Sequence, residues 1–263
     1  MDPAGVFATS FERDQALIRT RGQWIALALF LIALLVLPHV LGPRLVAIST
    51  NMLITAVVVI GLQINMGYAG QINLGQAAFM GVGAYAAGAL AIKFNLPFWL
   101  SIPLGGCAAA LFGFIFGLSA VRIKGFYLAL TTIAAQTLFH FLILNLPQSW
   151  FGGSNGLTLQ PAQIFGFSFV SDMSIYYLCL AVTAAMVFGA YGIVRSRHGR
   201  AFVAVNDDDV ASGLMGIDVV RTKATAFLIG AFYAGIGGGT LAYVIDRLVF
   251  RRKIKPTSPE GEP

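Results

Sequence analysis

Seven stretches of this chain are too apolar and too long to be covered by a water-facing surface. They lie at roughly residues 24–42, 46–65, 77–94, 98–120, 125–146, 173–194 and 224–245. Most reach the ~20 apolar residues that cross a hydrocarbon core. Only 11% of the residues are charged and 57% are hydrophobic, against about 25% charged in an average soluble domain. The fold class expected is all-α: a polytopic membrane helix bundle of about seven transmembrane spans.

The charges set an orientation. Cytoplasmic loops collect Lys and Arg. Arg13, Arg19 and Arg21 precede the first span, Arg122 and Lys124 lie between spans four and five, and Arg195, Arg197, Arg200, Arg221 and Lys223 bracket the loop between spans six and seven. With the N-terminus inside, all ten are cytoplasmic, and only Arg44 and Lys93 fall outside among the first six spans. The net charge of +6 therefore marks topology and not nucleic acid. The charged tail "SFERDQALIRTRGQ" precedes the first span and no small-residue cleavage site follows it, so that span reads as an uncleaved anchor. The organisation expected is a cytoplasmic tail over 1–23, a transmembrane domain over 24–245 with a cytoplasmic loop at 195–223, and a basic tail over 246–263.

Within this apolar background the stretch "GYAGQINLGQAAFMGVGAYAAG", Gly67 to Gly88, has six glycines and no charge. Gln71, Asn73 and Gln76, with Asn65 just before, add amides. Glycine costs about 1 kcal/mol against Ala inside a helix, so Gly67, Gly70 and Gly75 interrupt one. Non-helical backbone at membrane depth survives only where protein buries it or water wets it. A broken or re-entrant segment lining a route through the membrane follows; the alternative is a structural hairpin whose amides are satisfied internally. In the fifth span Thr132, Gln136 and His140 are four residues apart and share a face, either lining a cavity or joining helices. The pairs Gly113/Gly117 and Gly235/Gly239 read as close-packing faces.

The spans lack Asp, Glu, Lys and Arg once Lys93 is set at a helix end. Proton relays and voltage sensors are built from such residues, so this chain is not expected to energise transport itself. Cys107 and Cys179 sit inside spans without a CxxC or a Cys/His cluster, and no metal site is expected. In the loop "RSRHGRAFVAVNDDDVASGLMGIDVVRTKATAF", Asn206 and Asp207 to Asp209 offer an N-cap and Gly216 a stop. Val210, Ala211, Leu214 and Met215 then share an apolar face. Such a helix either docks on a partner or lies on its own bundle.

Together these two stretches resemble the membrane permease subunits of branched-chain amino-acid ABC importers, of the LivM type with an extra N-terminal span. "RIKGFYLALTT" and "GGSNGL" fit the same pattern in the same order, and the resemblance covers about residues 24 to 243. It implies a second, homologous permease, two cytoplasmic ATPase subunits that use the ATP, an external solute-binding protein, and a bacterial plasma membrane. No cofactor is implied in this chain, and no enzyme activity. The resemblance assigns Arg200, Asp207, Asp208, Ala211, Leu214, Met215 and Gly216 to ATPase coupling. It assigns Gly70, Gln71, Asn73, Gly75 and Gln76 to the translocation route, to which the Thr132, Gln136 and His140 stripe is added. The solute expected is a branched-chain amino acid or a related small polar molecule; a self-sufficient carrier or channel is the alternative. The match fades near Tyr243, and the basic end "VIDRLVFRRKIKPTSPEGEP" would emerge outside after seven spans. A truncated or frame-shifted chain is the expectation.

Overall fold

The computed structural model describes residues 21–122, 125–145, 163–164, 167–168 and 171–253. The expectations for the tail before residue 21, for most of the external loop and for residues 254–263 lie outside these. Among the described residues are nine α-helices: α1 Arg21–Val40, α2 Pro43–Gln63, α3 Gln76–Phe94, α4 Phe98–Arg122, α5 Phe126–Asn145, α6 Asp172–Arg195, α7 Arg197–Asp207, α8 Asp209–Leu214 and α9 Val219–Lys253. One small antiparallel hairpin, β1 Gln163–Ile164 with β2 Phe167–Ser168, lies in the loop before α6.

Seven of these helices are long and apolar enough to cross a membrane. Six begin and end within about three residues of the sequence expectation. The seventh differs. It starts at Val219 and continues as a helix to Lys253, while its apolar membrane-span segment ends at Ile245. No Pro or Gly occurs between Gly239 and Lys253 to stop it.

The chain divides into two compact units, residues 1–46 and 47–263. The first contains α1, whose Trp24, Leu29 and Phe30 are exposed, as suits a helix apolar on all sides. In the second unit α9 is the most buried span. It packs along α3 and α4 through small residues. An added Cβ at Gly113 would meet Ala231, and one at Gly117 would meet Phe227 and Ala224. Gly235 faces Ala109 and Gly106, and Gly239 faces Ala87 and Ile102. Both glycine pairs are thus contact faces, because without Cβ atoms the backbones approach closely enough to gain dispersion contacts that lipid cannot offer. Phe79, fully buried, sits edge-on to Phe112, Phe116 and Phe227 with centroids 6.1, 6.5 and 6.5 Å away, a geometry favoured by the ring quadrupoles.

Candidate functional site

The glycine-rich break begins where α2 loosens. After Gln63 the chain makes one π turn, Ile64–Tyr68, and the Ala69 amide closes it on the Ile64 carbonyl at 3.2 Å. Such turns recur where a helix is interrupted for function. Gly70 then takes φ +63°, a left-handed conformation that glycine adopts without a Cβ penalty. The chain stays irregular until Gln76 starts α3.

The amides of the break are buried, and two are fully engaged. Asn73 Nδ2 donates to Gln76 Oε1 at 2.8 Å, and Asn73 Oδ1 accepts from the Gly75 amide at 3.0 Å. Gln76 Nε2 donates to the carbonyls of Gly230 at 3.1 Å and Val58 at 3.3 Å. One side chain on α3 thereby ties α2 to α9. The Leu74 amide donates to Thr132 Oγ1 at 3.0 Å, and a Cβ at Gly75 would overlap the Thr132 carbonyl. Asn65 and Gln71 differ: both are buried, and neither side-chain atom of either has a hydrogen-bond partner among the described residues.

Of the fifth-span stripe, only Thr132 belongs to this cluster. Gln136 and His140 are exposed along α5. A step of four residues overshoots a helical turn by about 40°, so the stripe winds from the buried side to the surface. The sequence spacing grouped three residues that the packing separates.

The loop between α6 and α9 holds two helices where one was expected. Ser196 caps α7, accepting from the His198 amide at 3.2 Å. Phe202 and Val205 of α7 are buried, which gives it an inward apolar face. Arg200, exposed, reaches the Arg195 carbonyl at 3.2 Å with Nη1, a cation at the C-terminal end of α6 where the helix dipole favours it. The break between the two helices falls at Asp208, which is extended at φ −156°. Its Oδ1 accepts from the amides of Val210 at 2.7 Å and Ala211 at 3.0 Å. The run of acids is therefore not one cap. Asp208 caps α8 and Asp209 opens its first turn, while Asn206 and Asp207 end α7.

α8 stops at Leu214. Gly216 takes φ +86°, the Ile217 amide reaches Ser212 O at 3.0 Å, and the Gly216 amide reaches Gly213 O at 3.1 Å, which is a Schellman closure. Met215 is the last residue of the turn and not of the helix. Ser212 is buried. Val210, Leu214 and Met215 are 71%, 85% and 85% exposed, so the apolar residues do not rest on the bundle, and Ala211 is exposed beside them.

Break and loop meet. A cavity of about 400 Å³ is lined by Gly70 and Gln71 from the break, Gly125 before α5, Asn206 and Asp208 from the α7–α8 junction, and Lys223 of α9. A Cβ at Gly70 would overlap the Asn206 side chain. Three connections, between α2 and α3, α4 and α5, and α6 and α9, thus share one end of the bundle, as alternating spans with Lys and Arg in the last two of these connections led one to expect. Inside this cluster Lys223 Nζ bonds Asp209 Oδ2 at 2.6 Å, with Lys223 buried. Neither residue was singled out for function in the sequence. Lys223 reads there as one more positive flank, and no local spacing links it to Asp209.

Known proteins give this geometry a context. The family described as branched-chain amino acid transport system / permease component matches residues 44–249. The chain belongs to that family. It is 31% identical to the high-affinity branched-chain amino acid transport system permease protein LivM of Escherichia coli (strain K12), over 84% of this chain and 58% of that protein. It is 24% identical to the guanosine ABC transporter permease protein NupQ of Bacillus subtilis (strain 168), over 67% of this chain and 60% of that one. It is 27% identical to a putative glucose ABC transporter permease protein, TsgC13, of Haloferax volcanii, over 68% and 56%. The chain therefore spans a little over half the length of the curated relatives it matches. No solved structure matches it. A family of transport permeases and seven apolar helices make this a multi-pass membrane protein.

Proposed function

We propose that this chain is a membrane permease subunit of an ATP-binding-cassette importer, lying in a bacterial inner membrane with its N-terminus cytoplasmic. It moves a branched-chain amino acid or a related small polar solute inward and leaves ATP hydrolysis to separate subunits. The observation that carries this reading is the short helix α8, capped at both ends, presenting Val210, Leu214 and Met215 to solvent from an otherwise charged loop. An exposed apolar face framed by polar residues is a docking surface, and a helix face in a groove is a recurring way to dock.

On this reading Arg200, Asp207, Asp208, Ala211, Leu214, Met215 and Gly216 build the coupling element. Arg200 and Asp208 shape it, and Leu214 and Met215 touch the ATPase. Asn73, Gly75, Gln76 and Thr132, being bonded to one another or closely packed, hold the irregular wall of the route. Gly70 and Gln71 set its inner mouth, while Gln136 and His140 are the side chains open to it. A second homologous permease closes the route, two ATPase subunits drive it, and an external solute-binding protein delivers the solute. Relatives named for guanosine and for glucose widen the solute class beyond amino acids.

The test is reconstitution with an ATPase, a second permease and a solute-binding protein from the same organism. ATP-dependent uptake of leucine, absent when the ATPase is omitted, is expected. Uptake by this chain alone, without ATP, would instead make it a self-sufficient carrier.

A further inference from the structure

The helix α8 is only six residues long. A helix that short does not hold itself together or keep a direction in water. Its end closures fix its conformation but not its position on the bundle. Two anchors among the described residues hold it there: Ser212 is buried against the bundle, and Asp209 in its first turn holds Lys223, near the start of α9, at 2.6 Å. The ion pair joins a loop to the most buried span of the unit. Lys223 is 8% exposed, so the pair is largely out of water, where charges attract more strongly.

From Lys223 the backbone of α9 runs about two turns to Gly230, whose carbonyl holds Gln76 at the mouth of α3. Gln76 in turn holds Asn73 of the break. A displacement of α8 is thus passed through an ion pair, a rigid helix and a hydrogen bond to the irregular segment. We infer that the Asp209–Lys223 ion pair is the strut through which α8 moves α9, and with it the break. Both are positioning residues. The inference rests on the docking role proposed for α8.

The experiment uses the reconstituted transporter and reads leucine taken up per ATP hydrolysed, together with ATPase co-purification. Removing one charge alone would change the net charge of a largely buried pair, so the informative variant is the neutral double, Asp209→Asn with Lys223→Met. It removes both charges of the pair together and is expected to assemble with the ATPase and to hydrolyse ATP. Leucine moved per ATP should fall about fivefold or more, the size of an ordinary coupling between sites. The swapped double, Asp209→Lys with Lys223→Asp, restores a pair of opposite charge and should recover the ratio. An unchanged ratio in the neutral double overturns the inference. So does loss of ATPase co-purification in that variant, which would make the pair part of the docking face and not a transmitter. Failure of the underlying reading looks different: the wild-type chain would then not co-purify with the ATPase at all.

Discussion

Gln76 of α3 holds Gly230 of α9 across a sequence distance of 154 residues, its Nε2 donating to the glycine carbonyl at 3.1 Å. Its Oε1 accepts from Asn73 at the same time. The amide joins two helices and braces the irregular segment between α2 and α3, which accounts for a polar residue at a place where lipid-like surroundings disfavour one.

Replacing Gln76 by Leu keeps the volume and removes three hydrogen bonds. The carbonyls of Val58 and Gly230 remain in their helices, but Asn73 Nδ2 loses its acceptor in a buried place. The expected loss is about 1–3 kcal/mol, the cost of leaving a buried donor unsatisfied. Gln76→Glu, which sets an acceptor against two carbonyls, should cost more. Unfolding midpoints in detergent decide it; an unshifted midpoint for Gln76→Leu would mean the clamp carries no weight.

Gly83 and Gly192 should respond to alanine with opposite signs. A Cβ at Gly83 would overlap the backbone of Gly235, whereas one at Gly192 meets nothing within 4 Å. Gly83→Ala forces α3 from α9 and should destabilise by about 1–3 kcal/mol, as overpacking does. Gly192→Ala in α6 should stabilise by up to about 1 kcal/mol through helix propensity. Equal effects in the same unfolding assay would refute the close α3–α9 approach.

Met215→Asp places a charge on the exposed apolar tip of α8. Because Met215 is 85% exposed, folding should change by less than about 0.5 kcal/mol. Co-purification with the ATPase and leucine uptake should fall about tenfold or more, as for the loss of roughly 1.4 kcal/mol of docking energy. Normal association together with normal uptake would dismiss α8 as the docking element.

Single cysteines separate the bonded wall from the open side of the proposed route. Cys107 and Cys179 are first replaced by Ala. Cysteines at Gln136 and His140, exposed along α5, should react with a small water-soluble thiol reagent in the assembled transporter. A cysteine at Asn73, buried at 1% exposure, should react at least about tenfold more slowly in the resting state, since buried thiols are inert. Inertness at 136 and 140 would place those residues against lipid or the partner permease and remove them from the route.

Local chemistry alone determined a good deal here. The lengths of the apolar runs gave the seven spans, because the bilayer thickness is an external ruler. Lys and Arg placed the α4–α5 and α6–α9 connections at one end, the alternation of spans added the α2–α3 connection, and the cavity shared by Gly70, Gly125 and Lys223 agrees. Gly216 marked the end of α8, because a positive φ is a property of one residue, whereas the run Asn206 to Asp209 offered a cap without showing that Asp208 supplies it and that the run divides two helices. Partners distant in sequence were a different matter. That Gln76 reaches Gly230, that Thr132 turns toward Leu74 while Gln136 faces outward, and that Lys223 finds Asp209 all depend on how helices pack. A side chain's partner is set by the angle and depth at which another helix arrives, and periodicity within one helix does not contain that information. The sequence could name the amides and charges of this protein; only the tertiary structure decided which of them brace the bundle and which remain open.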